Sequence, residues 1–145
     1  MQTKRWALAG IIAGSLLWPI AVAAQNADSY KIRLAPVAIT IAMRGEVSGS
    51  GQMVANLAGN KLTVSGTFEE LPSDATAAAI HQGSMAGVRG PNILDLTIAK
   101  AKSGNFSGSF DLKPEQVEAL KKGRWYVQIE SEKAPEGTLW GWFMK

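Results

Sequence analysis

His81 is the only histidine of this 145-residue chain, and the chain has no cysteine. Those two facts narrow the chemistry at once. A protein metal site normally needs three or four ligands, so His81 would have to recruit carboxylates, and Glu130 and Asp95 are the candidates. A copper centre of several imidazoles cannot be built from one histidine. Without cysteine there are no thiolate zinc sites, iron–sulfur clusters or covalent haem attachments. The simpler reading of His81 is a hydrogen-bonded side chain at a strand end. Ser84 lies three residues on, but no G-x-S-x-G elbow surrounds it and no orienting acid is evident, so a nucleophilic triad is not supported. Glu69 and Glu70 are adjacent and would face opposite sides of a strand. Glu130 and Glu132 could share a face, but they stand at a charged turn and read as solvated rather than as a glycosidase pair. The segment Gly87 to Gly90 lacks the Lys-Ser/Thr of a phosphate loop. The sequence therefore predicts a non-enzymatic protein with no cofactor.

The more distinctive chemistry is aromatic. Trp125, Tyr126, Trp140, Trp142 and Phe143 crowd the last twenty-one residues. Tryptophan and tyrosine are favoured interface anchors, so Trp125, Trp140 and Trp142 are candidate partner-binding residues. Trp140 and Trp142 share one strand face, opposite Leu139, Gly141 and Phe143. Two readings stay open: a surface for a partner or a sugar, or one face in the core and the other packed beneath a loop.

The elements that must position these residues read mostly as strands. Period-two alternation marks Tyr30–Leu34, Met53–Leu57, Leu62–Phe68, Asn92–Ile98, Phe106–Leu112, Trp125–Ile129 and Leu139–Phe143. Gly59-Asn60 reads as a hairpin turn. Val37–Met43, after Pro36, is expected to be a further strand. Ala75–Ile80 is ambiguous, because its alanines favour helix while its neighbours favour strand. One short helix is predicted from Pro114 to the cap at Gly123, with Val117 and Leu120 on its apolar face and Glu115 near its positive end. About eight short strands with regular turns predict an all-β antiparallel sandwich or barrel.

Residues 1–24 have the order of a secretory signal peptide: Lys4 and Arg5, an apolar run from Trp6, and Ala21-Val22-Ala23-Ala24 as a small-residue cleavage site. Cleavage near Ala24 leaves residues 25–145 as one domain and places it in the periplasm or outside the cell. It removes Lys4 and Arg5, the only charged residues there, so the formal charge falls from +3 to +1. A near-neutral domain gives no electrostatic footprint for nucleic acid.

Four segments from about Thr67 to Phe143 resemble the CHRD (chordin) domain family. Ala78-Ala79-Ile80-His81-Gln82-Gly83 is similar to its A-H-I-H-G strand end, and Gly87-Val88-Arg89-Gly90-Pro91 to its G-x-x-G-P loop. Leu112 to Gly123 is similar to its helix. Tyr126-Val127-Gln128-Ile129 and Gly137-Thr138-Leu139-Trp140-Gly141 are similar to its closing Y-V-N-V-H and G-G-E-I-R-G strands. The chain departs from that pattern at Ala79, Glu130 and Trp140, where relatives carry His, His and Arg. The resemblance implies a Greek-key β-sandwich of immunoglobulin or superoxide-dismutase type, exported in bacteria and without catalysis. Together these readings lead to an exported binding or stabilising module. It is expected to be an accessory subunit of a periplasmic or membrane-associated complex such as a quinoprotein dehydrogenase, its partner a larger envelope protein. The alternatives are a metal- or carbohydrate-binding domain using His81 and Glu130, and a free-standing periplasmic protein.

Overall fold

The computed structural model describes residues 27–38 and 40–145. The leader and the cleavage site near Ala24 lie outside these residues.

The described residues form eight strands: β1 (Asp28–Pro36), β2 (Ser50–Ala58), β3 (Lys61–Glu69), β4 (Ala75–Gln82), β5 (Asn92–Ile98), β6 (Gly104–Asp111), β7 (Trp125–Ser131) and β8 (Leu139–Trp142). Every pairing is antiparallel. The order β1-β2-β3-β6-β5-β4-β7-β8 closes on itself as a barrel. β7 returns past β6 and β5 to lie beside β4, which is a Greek-key connection. The expected sandwich of two separate sheets is thus corrected to a closed barrel. The reason is local: Ala35–Pro36 pair with Trp140–Leu139 on one side, and Thr97–Ile98 with Ser107–Phe106 on the other. Each seam is two residue pairs wide, whereas β2 and β3 pair over their whole length. The barrel is therefore two four-stranded halves, β1–β2–β3–β6 and β5–β4–β7–β8, stitched along narrow seams.

Alternation explains the core. Tyr30, Ile32 and Leu34 of β1, Met53, Ala55 and Leu57 of β2, and Leu62, Val64 and Phe68 of β3 point inward and are buried, while their neighbours are exposed. Each fully buried Leu, Val or Phe contributes about 1.5–3 kcal/mol. The helix α1 (Pro114–Lys121) carries the chain from β6 to β7. Pro114 occupies its first turn, the Lys113 N–H donates to Gln116 Oε1 at 2.9 Å, and Gly123 takes φ +70° after the last turn. Ala119 and Leu120 are buried against the barrel, with Val117 half-buried beside them.

Two sequence expectations are resolved or changed. Ala75–Ile80 is strand, not helix, because β4 pairs with both β5 and β7. The strand expected over Val37–Met43 does not form among the described residues of that range. β1 ends at Pro36, its last pair being Pro36 with Leu139, and the chain then makes a 3-10 turn over Ile41–Gly45 with no buried residue. An apolar run becomes a strand only where a partner edge exists, and β8 offers β1 none beyond Leu139. Ile41 is left 81% exposed. No helix among the described residues is long and apolar enough to cross a membrane.

Candidate functional site

Of the side chains singled out above, His81, Tyr126, Trp140 and Trp142 meet on the outer face of the β5–β4–β7–β8 half. Register fixes the arrangement. His81 of β4 pairs with Tyr126 of β7, and Tyr126 with Trp142 of β8. One row along, Ala79 pairs with Gln128, and Gln128 with Trp140. Glu130 faces Ala77 in the row beyond. Tyr126 is the centre of an aromatic group: His81 stacks on it at 5.1 Å between ring centroids, Trp140 lies parallel at 5.3 Å, and Trp142 is tilted at 4.4 Å. Such pairs add about 0.5–1.5 kcal/mol each beyond their buried area.

This face is not open. The loop between β4 and β5, residues 83–91, folds back over it. The Gly90 N–H donates to Tyr126 Oη, and the Tyr126 hydroxyl donates to the Gly90 carbonyl, both at 3.0 Å. His81 Nδ1 also meets that carbonyl at 3.0 Å, so Nδ1 carries the proton. The Arg89 guanidinium lies 4.6 Å from the centre of the Trp140 ring. At the loop's start, Gly83 N–H donates to the Arg124 carbonyl, and Arg124 Nε donates back to the Gly83 carbonyl at 3.1 Å. The loop approaches so closely that a β-carbon on Gly83 would lie 1.8 Å from the Val88 carbonyl oxygen. One on Gly90 would lie 1.8 Å from that of Gln82. Tyr126 and Trp140 are consequently buried, although they point out of the barrel, and Gln128 is buried beneath the β7–β8 turn, where Gly137 packs against it.

The candidate residues divide as follows. Trp140 and Trp142 share the outer face: Trp140 is 6% exposed beneath Arg89, and Trp142 is half-buried at the edge. Trp125 points inward, is fully buried, and packs edge-to-face on Phe143, with its indole N–H donating to Gln82 Oε1 at 2.7 Å. It presents no surface to a partner. The strand's own alternation carries that signal, since Trp125, Val127 and Ile129 oppose Tyr126, Gln128 and Glu130.

His81 and Glu130 share a face but are not brought together. His81 lies four positions along β4 from Ala77, the partner of Glu130, and Glu130 instead accepts from Gln128 Nε2 at 3.3 Å. Asp95 accepts from Asn92 at 2.6 Å. Among the described residues no group of three or more His, Asp or Glu side chains could hold a metal ion. Tyr126, Arg89 and Gly90 organise the face; the sequence placed Tyr126 in the aromatic cluster and Arg89 and Gly90 in the Gly87–Pro91 segment, but gave none of the three a role in the site.

The molecule is thus a small closed antiparallel barrel with one aromatic face covered by its own loop. The chain belongs to the CHRD domain family, whose model matches residues 37–142. No curated protein and no solved structure matches it. The three departures noted from the family pattern, Ala79, Glu130 and Trp140, all lie on the loop-covered half, and Ala79 and Trp140 share one cross-strand row.

Proposed function

We propose that this protein is an exported, non-enzymatic binding and stabilising module that serves as an accessory subunit of a larger envelope complex. The observation that carries the reading is the clamp on the aromatic face. Tyr126 Oη and His81 Nδ1 both bond the peptide of Gly90, while His81 Nε2 is buried without a partner among the described residues. Their effect is to hold the loop in one conformation. That loop in turn displays apolar side chains: Met85 is 62% and Val88 39% exposed. Met144, 56% exposed, lies beside the same loop, since a β-carbon on Gly123 would be within 4 Å of both Ala86 and Met144. Exposed apolar groups on a rigidly held loop lose little conformational entropy on docking, which favours a protein partner. The surface is thus the loop and the rim of β8, with Trp142 at its edge, rather than the flat of the tryptophan rings.

The test is co-purification from native envelope extract. The wild-type chain should elute with a larger partner and should begin near Gln25. A Met85→Asp, Val88→Asp variant, altered only at exposed positions, should elute alone with unchanged melting. If the wild-type chain itself runs as a lone monomer, it is a free-standing protein and the accessory reading fails.

A further inference from the structure

The opposite half of the barrel has an outer face of a different kind. Its outward positions fall in cross-strand rows set by register. One row is Arg33, Gln52, Thr67 and Asn105. The next is Lys31, Val54, Ser65 and Ser107. All eight side chains are exposed, and together they line an open concavity of about 1200 Å³. With strands about 4.8 Å apart and alternate residues about 6.8 Å apart, each row is roughly 14 Å long.

The composition of this concavity is unusual for a solvated β surface, where long charged side chains of both signs are the norm. Five of the eight are short neutral groups bearing hydroxyls or amides. The two cations, Lys31 and Arg33, stand side by side on β1, and neither makes an ion pair among the described residues. The carboxylate on the concavity's rim, Glu69, accepts from the Ser50 hydroxyl at 3.3 Å.

We infer that this concavity binds a carboxylate-bearing polysaccharide. Hydroxyls and amides held on paired strands offer both donors and acceptors at fixed spacing, which suits a polyhydroxylated chain lying across the strands. Arg33 can take a carboxylate through two parallel N–H bonds, and Lys31 adds a point charge beside it. None of the eight side chains is aromatic, so a neutral sugar finds no stacking platform and affinity must come from hydrogen bonds and charge. Two cations among five neutral polar groups match a polymer with widely spaced charges. A phosphate backbone, with a charge at every residue, calls for a denser basic track. The site lies on the half of the barrel away from the loop, so its fate and that of the protein-docking surface are independent.

Calorimetric titration of the full chain with hyaluronan oligosaccharides, which carry a carboxylate on every second sugar, tests the inference. Binding should be saturable and weaken as salt is raised. It should fall at least tenfold in Arg33→Gln and further in Arg33→Gln, Lys31→Gln. Ser65→Glu, which sets a carboxylate in the middle of the second row, should abolish it, while Lys122→Gln on the helix should leave it unchanged. Amide shift changes should map to the two rows. The inference is overturned by equal binding of an uncharged maltooligosaccharide, by preferential binding to anionic phospholipid vesicles through the same residues, by insensitivity to Arg33→Gln, or by no binding at millimolar ligand.

Discussion

Tyr126 and Gly90 are thirty-six residues apart and exchange two hydrogen bonds, the phenol oxygen accepting from the peptide N–H and donating to the carbonyl. Neither group belongs to the barrel's interior, yet Tyr126 is 1% exposed. The contact turns one outward face of a β-barrel, normally wetted, into a second dry layer. It also takes up two of the polar atoms on that face, since Tyr126 Oη and His81 Nδ1 both bond the Gly90 peptide.

Tyr126→Phe should therefore loosen the loop more than the barrel. The ring stack survives, but the Gly90 N–H loses its partner in a covered site, which costs about 1–3 kcal/mol. The urea midpoint should drop accordingly, and amide exchange at Gly90 should accelerate while exchange in β2 and β3 follows only the global change. Unchanged protection at Gly90 would show that the Arg124–Gly83 bridge alone holds the loop.

Glycines within the same loop should differ sharply in tolerance. A β-carbon at Gly83 or Gly90 would overlap backbone oxygens that cannot rotate away. Gly87 has φ +80° but nothing within 4 Å of its would-be β-carbon. Gly87→Ala should cost about 1–2 kcal/mol, the ordinary penalty of a left-handed residue. Gly83→Ala and Gly90→Ala should cost more and should open the segment to limited proteolysis. Equal melting temperatures for the three variants would contradict the close approach.

Much of this architecture was legible in the sequence. Strict alternation in β1, β2 and β3 announced half-buried strands, and Gly59-Asn60 marked the turn that joins β2 to β3. Pro114 and Gly123 bracketed the helix. What alternation cannot encode is pairing at long range. Closure into a barrel depends on two seams of two pairs each, and nothing within β1 or β8 specifies them. The apolar run from Val37 to Met43 looked like a strand because propensity is local, whereas a free edge to pair with is not. The pairing of direction between Trp140 and Trp142 was readable from their spacing. Their cover was not, because a loop's path depends on two close backbone approaches at Gly83 and Gly90 that composition only hints at.

Asp28 ties the start of β1 to both the helix and the end of the chain. It accepts a hydrogen bond from Lys145 Nζ and lies 3.6 Å from Lys121 Nζ. The hydrogen bond from Lys145 holds the Asp28 carboxyl below its ordinary 3.8 and raises the Lys145 ammonium above its ordinary 10.5. A carboxylate with a depressed folded pKa stabilises fully above the unfolded value, and that contribution disappears as pH falls through the folded one. The lysine contributes below 10.5, and its share disappears as pH rises through its folded value. Asp28→Asn should thus melt slightly lower than wild type at pH 7, with the gap closing under acid and shrinking at high salt, because the pair is exposed. A gap that persists at pH 2 would assign the effect to something other than this charge.

Glu70 is the one non-glycine residue with positive φ among the described residues, at 58°. It follows the last residue of β3, where the chain turns toward β4, and its carbonyl accepts from the Ser48 hydroxyl at 3.3 Å. That bond uses backbone alone, and the side chain is exposed. A left-handed conformation costs an ordinary residue about 1–2 kcal/mol. Glycine removes that strain but adds about 0.5–1 kcal/mol of unfolded-state freedom. Glu70→Gly should therefore raise stability by up to about 1 kcal/mol, and Glu70→Asn should do so by less, since asparagine tolerates this region in part. Glu70→Val should lower it, because a β-branched side chain crowds the carbonyl most in this conformation. Denaturant midpoints of the four proteins should rank Gly, Asn, Glu, Val. A glycine variant less stable than wild type would mean that the Glu70 side chain, not its backbone, holds the turn.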